Sequence, residues 1–322
     1  MLGFAVRRFV SAVLVLFAIS VLVFLIFFAT PGVDPAARIA GRNADQATLA
    51  QVRHAFGFDQ PLPVRYVLMM KHLFVSRDLE SFVNRGARVI PQITHAMPVT
   101  LSLVLGAAVI WVVFGVFMGS AAAALRGTVV DPLIMMLGVI GASLPVYWVG
   151  EAVNLVTQSR LHDEVFSWVP PLGYVGLTDD PGQWALHLLF PWLTLAALYA
   201  GIYARLLRSE VIANLHEDYV TTARAKGVSE RRVLIRHALR CSLIPFVSLF
   251  GLDFGALVGG SALLTEVVFG LPGIGKLTYD ALQNVDLPVI MGTVLYAAFF
   301  VVLSNALIDV LYARLDPRVR HA

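Results

Sequence analysis

Apolar residues along the chain are gathered into six long runs: Val10 to Ala29, Val99 to Ala124, Pro132 to Val156, Trp184 to Leu207, Leu243 to Phe269 and Pro288 to Tyr312. At a rise of about 1.5 Å per residue, about 20 apolar residues cross a hydrocarbon core of about 30 Å. Backbone N–H and C=O groups in lipid must be satisfied within their own segment, so runs of this length are helices and not lone strands. The pattern predicts an all-α integral membrane protein with six transmembrane helices. The first two runs are free of charge. The third carries Glu151, the fourth is interrupted by Pro191, the fifth holds Asp253 and Glu266, and the sixth holds Asn305 and Asp309.

Composition agrees, with 58% hydrophobic and 14% charged residues against roughly 25% charged in soluble domains. Arg7 and Arg8 precede the first run, but it is too long for a signal peptide's apolar core of about 7–15 residues, and a twin-arginine export signal fails for the same reason. Cys241 is the single cysteine. One thiol excludes an internal disulfide framework and a zinc site built on cysteine pairs, so it reads as inert.

Lys and Arg in short loops orient membrane spans, being enriched on the cytoplasmic side. Arg7 and Arg8 precede the first run, Arg126 follows the second, Arg208 to Arg240 separates the fourth and fifth, and Arg314, Arg318 and Arg320 follow the sixth. With six crossings these regions share one side, which places both termini in the cytoplasm. Residues 30–97 form a long external region between the first two spans. They are also basic, but loops longer than about 60 residues largely escape the rule. The expected organisation is residues 1–29 as N-terminal segment and first helix, 30–97 as external region, and 98–322 as a five-helix core carrying a cytoplasmic loop at 208–242.

Gly251, Gly255 and Gly259 form a stripe on one face of the fifth run, and Gly115 and Gly119 repeat it on a smaller scale in the second. Lacking Cβ atoms, such stripes admit a neighbouring helix closely. They fit tight packing inside one subunit or a seam between subunits.

The basic segment Glu217 to Arg240 reads EDYVTTARAKGVSERRVLIRHALR. Tyr219 to Lys226 has helix-forming residues, and Gly227 suits the position after a helix, where φ is positive. Arg224 and Lys226 place positive charge in the last turn, where the helix dipole favours it. Ser229 is a good N-cap for a second helix with Glu230 in its first turn. Val233, Leu234, His237, Ala238 and Leu239 alternate there with Arg231, Arg232, Arg236 and Arg240. Such a capped pair of helices fits lipid-headgroup anchoring, a solvated face, or docking of a soluble protein.

The run DYVTTARAKGVSERRVLIRHALRCSLIP resembles the cytoplasmic signature loop of permease subunits of ABC importers, in the dipeptide/oligopeptide branch. The pattern of an Ala-containing element, a Gly and a Pro opening the next span maps onto Ala223, Gly227 and Pro245. TPGVDPAA, FGFDQPLPVRY, TEVVFGLPGIGKL and YARLDPRVR extend the resemblance over nearly the whole chain. Thr221 and Thr222 replace the Glu and first Ala of the general signature, Cys241 stands where the branch commonly has Asn, and Val33 adds a residue to PGDP. The resemblance implies a second permease subunit, two cytoplasmic ATPases that bind ATP and Mg, and an external substrate-binding protein. It implies no cofactor on this chain. It also implies an ATPase-coupling element made of Ala223, Arg224, Ala225, Lys226, Gly227, Val228, Ser229, Glu230, Arg231, Arg232, Val233 and Leu234, and a location in a prokaryotic plasma (inner) membrane among its lipids. Substrates would be peptides or related small solutes.

Other chemistry is sparse. GLPGIGKLT, Gly270 to Thr278, nearly spells a phosphate-binding loop, but Leu277 stands where Ser or Thr is required and the loop follows a membrane helix and not a strand. Glu151 and Asp253 lie deep in their runs, as pathway residues or as structural pairs. Glu266 and Asp309 lie nearer span ends, where capping suffices, and His95 and His187 are isolated. No Ser/His arrangement in the spans or HExxH helix marks a protease, no residue set marks a metal site, and nothing points to nucleic acid. The expectation is a transport subunit and not an enzyme. The alternative is a self-contained proton-coupled carrier using Glu151 and Asp253.

Overall fold

The computed structural model describes residues 2–28, 36, 40, 45–55, 57–84, 86–159 and 161–315. Val33, Arg318 and Arg320, with much of the motifs around them, lie outside the described residues, as does the side chain of Asp309. Among the described residues the regular structure is helical, joined by turns and loops, with an isolated bridge between Glu80 and Arg88.

Helix α1 is Leu2–Phe28. Two short helices follow, α2 at Gln46–Ala55 and α3 at Leu62–Lys71, the latter ending in a π-helical turn, His72–Ser76. Helix α4, Val89–Ala124, begins ten residues before the apolar run it contains. Next come α5, Val130–Ser143, α6, Val146–Thr157, and α7, Pro181–Asn214. After α8, Asp218–Ala225, the long helix α9 runs from Glu230 to Ser261, its charged first turns preceding the apolar span, followed by α10, Leu263–Val268, α11, Ile274–Asn284, and α12, Leu287–Leu315. Five helices are long and apolar enough to cross a membrane, and α5 with α6 makes a sixth if the bent pair counts as one.

The structure corrects the sequence reading at three of the runs. The third is broken: α5 and α6 meet at 92°. Leu144 before Pro145 is extended (φ −86°, ψ 128°), as the steric demand of proline on its predecessor requires. The fourth is not interrupted, because Pro191 lies buried inside the continuous α7. The fifth begins earlier, at Glu230, so the second helix of the basic segment and the span are one rod. Its backbone passes through a π-helical turn at Val233–Ala238, and Pro245 lies inside it without opening it. A second π turn, Leu257–Ser261, ends at Gly260, whose φ of 111° stops the helix.

Two packed regions hold the chain together. Trp111 of α4, Leu188, Tyr203 and Leu207 of α7, and Phe246 and Leu257 of α9 form the main core. Val23 and Phe24 near the end of α1, Met69 and Leu73 after α2, Phe82, and Ile290 and Met291 at the start of α12 form the second. The buried Asp286 fastens this second region. Its carboxylate accepts the Phe82 N–H at 3.0 Å and the Ser81 hydroxyl, so the segment between α1 and α4 is fixed to the end of the bundle where α12 begins.

Glycines set how closely the long helices approach. A Cβ built on Gly201 of α7 would lie 2.3 Å from the Gly138 carbonyl oxygen of α5, and one on Gly119 of α4 would lie 2.7 Å from the Ala204 carbonyl oxygen of α7. Gly251, Gly255 and Gly259 face Ile308, Ser304 and Ala297 of α12 in the same chain. Gly255→Val would push a side chain to within 2.6 Å of Ser304 Cβ. It is expected to cost about 1–3 kcal/mol, read as a lowered thermal unfolding midpoint in detergent. An unchanged midpoint would show that α9 and α12 have slack between them.

Candidate functional site

The basic segment is built from local rules outward. Helix α8 ends in paired bonds: the Gly227 N–H donates to the Arg224 carbonyl at 2.9 Å, and the Val228 N–H to the Ala223 carbonyl at 3.2 Å. This is the Schellman arrangement, which needs a left-handed residue after the helix. Gly227 supplies it with φ 78°. A Cβ on Gly227 would meet nothing within 4 Å. The glycine is therefore required by backbone conformation alone, and the outer side of the turn is open.

Beneath the turn, Val220, Ala223 and Val233 are buried against one another, with Leu215 and Val228 packed on them. Ala223, the alanine of the family pattern, is thus part of a small core joining α8 to α9. Arg224 clasps the same junction. Its Nε donates to Glu230 Oε1 at 2.8 Å, its Nη2 to Oε2 at 3.1 Å, and its Nη1 to the Leu215 carbonyl at 3.2 Å. The Arg224 hydrogen bond holds the Glu230 carboxyl below its ordinary range, against a smaller opposing effect of desolvation. Ser229 takes the extended N-cap conformation, but its side chain makes no capping bond. Ala225, Lys226, Ser229, Arg231 and Arg232 are exposed, and Leu234 is half-buried.

Polar contacts that the sequence reading missed fix this turn to the membrane helices. The Tyr219 hydroxyl donates to Asn214 Oδ1 at 2.9 Å, and Asn214 Nδ2 donates to Ser242 Oγ at 3.1 Å, linking α8, α7 and α9. Asp131 at the start of α5 receives both Nε and Nη2 of Arg208 in α7, each at 2.6 Å. The partners lie 28 and 77 positions apart in the last two contacts, so no local pattern exposes them.

Deeper in the helices, Asp253 of α9 accepts the Tyr203 hydroxyl of α7 at 2.8 Å and stays half-buried. Glu151 stands exposed on α6, and no hydrogen bond joins it to Asp253. Glu266 is fully buried. It accepts the Thr100 hydroxyl at 2.6 Å and the Lys276 N–H at 2.9 Å, while Thr100 accepts the Ile274 N–H at 2.8 Å. A Cβ on Gly273 would lie 2.3 Å from the Glu266 carboxylate. The loop that resembles a phosphate cradle does hold an acidic group at the start of α11, and that group is the carboxyl of the protein's own Glu266.

Residues 1–104 match the family model described as the N-terminal part of the membrane component of binding-protein-dependent transport systems, and residues 112–321 match the binding-protein-dependent transport system inner membrane component. The chain belongs to this family. It is similar to a Brucella abortus protein provisionally named a peptide transport system permease protein, 37% identical over 321 residues and 100% of both chains. It is also similar to a glutathione transport system permease protein of Salmonella typhimurium, 38% identical over 321 residues and 100% of both. Permeases of this family work in ABC importers with ATPase and substrate-binding partners, which favours that reading over the proton-coupled carrier.

The Arg224–Glu230 clasp carries a pH dependence. A folded-state pKa below the unfolded value means that the carboxylate stabilises the turn in full above the ordinary glutamate range. That contribution is lost as the pH falls through the lower folded pKa. Amide exchange at Gly227 and Val228, corrected for intrinsic rates, is expected to lose protection between about pH 6 and pH 3. E230Q should show the weaker protection at both pH values; equal protection in wild type and E230Q would show that the clasp is idle.

Proposed function

We propose that this permease forms half of the translocation path of an ATP-driven importer of peptides or related small solutes. The family relatives support the substrate class, since two of them are named for peptide and glutathione transport. In this reading a second permease subunit completes the path, two ATPases supply hydrolysis with ATP and Mg on their own residues, and an external binding protein delivers the solute. Both termini and the 208–242 loop face the cytoplasm, and residues 30–97 face outward. This chain contributes no hydrolytic chemistry.

The observation that carries the reading is the turn at Gly227. The end of α8 is closed by its own backbone bonds, the two helices share a core and a clasp, and the outer side presents exposed Ala225, Lys226, Arg231 and Arg232. Lipid attraction requires charge but not this construction. A rigid knob suits a protein groove. Because α9 continues unbroken into the bundle, displacement of the turn by closing ATPases passes into α9, and through the Asn214 and Arg208 contacts into α7 and α5. Coupling of this kind requires an element with two states that both sites bias, and the seam between the two permeases serves as that element during alternating access.

Reversing charge with R231E/R232E leaves the inner core and the clasp untouched. The variant is expected to insert and assemble normally and to lose about tenfold or more of its substrate-stimulated ATPase activity in the full complex. Normal stimulation would sink the coupling role. Solute uptake by this chain alone in liposomes, driven by a proton gradient without ATPases, would restore the carrier.

A further inference from the structure

Asp253 lies eight residues before Ser261 in α9, about 12 Å along the helix, well inside the bundle. Its hydrogen-bond donor is held rigidly. Tyr203 is fully buried, its ring meets Phe246 edge-on at 4.9 Å, and Trp111 lies beside it at 6.1 Å. The hydroxyl therefore has one direction in which to point, and it points at Asp253 Oδ2.

The carboxylate is half-buried, and among the described residues no basic side chain pairs with it. A carboxylate left facing lipid at this depth is costly, so its open side faces water or another chain. Phe250, one turn earlier on the same face of α9, packs against Trp111 at 5.7 Å and extends the aromatic surface next to the carboxylate. A fixed carboxylate bordered by aromatic rings is the chemistry that receives a primary ammonium ion.

Resting on the functional reading above, we propose that Asp253, oriented by Tyr203, receives the α-ammonium group of a peptide during its passage through the membrane. Asp253 is on the same continuous helix that begins at the Gly227 turn, so the position of this carboxylate follows the state of the ATPases.

The test uses the two permease subunits with their ATPases in nanodiscs, without binding protein, and compares trialanine with N-acetyltrialanine. Wild type is expected to bind trialanine about tenfold or more tightly than the acetylated peptide, from the charge-assisted hydrogen bond. D253N, isosteric and still able to accept from Tyr203, should lose that preference while binding the acetylated peptide as wild type does. Y203F should fall between. A purely structural Asp253–Tyr203 pair would weaken both ligands alike in D253N, and that result, or an unchanged preference in D253N, or no preference in wild type, overturns the site. Import by the full complex with its binding protein separates the two levels. Peptide import without amino preference in the nanodiscs refutes the site alone, whereas absence of peptide import refutes the functional reading and the site with it.

Discussion

Lipid tails are as apolar as leucine, so the hydrophobic effect does not draw these helices together; close backbone contact does. Everything else in the structure depends on that closeness. The α5–α7 crossing is glycine on glycine at Gly138 and Gly201, the α4–α7 crossing sets Gly119 on the Ala204 carbonyl, and α9 lies on α12 along Gly251, Gly255 and Gly259. With backbones this near, a helix has little freedom to slide alone. A push at one end is transmitted as movement of a body and not absorbed by side chains.

Polar bonds then occur where a definite register matters. Asp131 with Arg208 and Asn214 with Ser242 join helices near the basic turn, while Asp286 with Ser81 and Phe82 and Glu266 with Thr100 and Lys276 join elements around α10, α11 and the start of α12. Each buried carboxylate among them has donors directed at it, which is the condition for keeping a charge in a low-dielectric interior. Asp253 differs. It has one donor and an open side, and no second partner for it lies among the described residues.

How much of this was legible in the sequence follows from how local each feature is. The Gly227 turn could be read because a Schellman end depends on residues within six positions, and the structure shows the predicted positive φ. Helix boundaries were less legible. Pro145 breaks a helix and Pro191 does not, although both sit in apolar runs. The residues before and after decide it: Leu144 and Pro145 both leave the helical region, whereas α7 closes around Pro191. The fusion of the second basic helix with the fifth span is hidden in the sequence because Glu230 to Leu243 changes from charged to apolar without leaving the helical region. The Arg224–Glu230 clasp joins residues six apart across a turn, outside the three- and four-residue spacing of helix pairs. The contacts of Asp131, Asn214 and Asp286 depend on chain folding alone.

The Gly270 to Thr278 loop shows why a motif needs its context. Glycines there let the backbone close around a carboxyl group at a helix start, the same physical device that cradles a phosphate. In this chain Glu266 fills the cradle from inside, and Gly273 has no room for a Cβ beside it. An occupied cradle cannot also hold a nucleotide, so the pattern of glycine and lysine is explained by packing. The basic turn is the converse case. Its glycine turn is closed by its own backbone, its inner side is packed into a small core, and its outer surface is left open. Under the coupling proposed above, that open surface is what a partner would meet, and the energy would come from the chain that docks there.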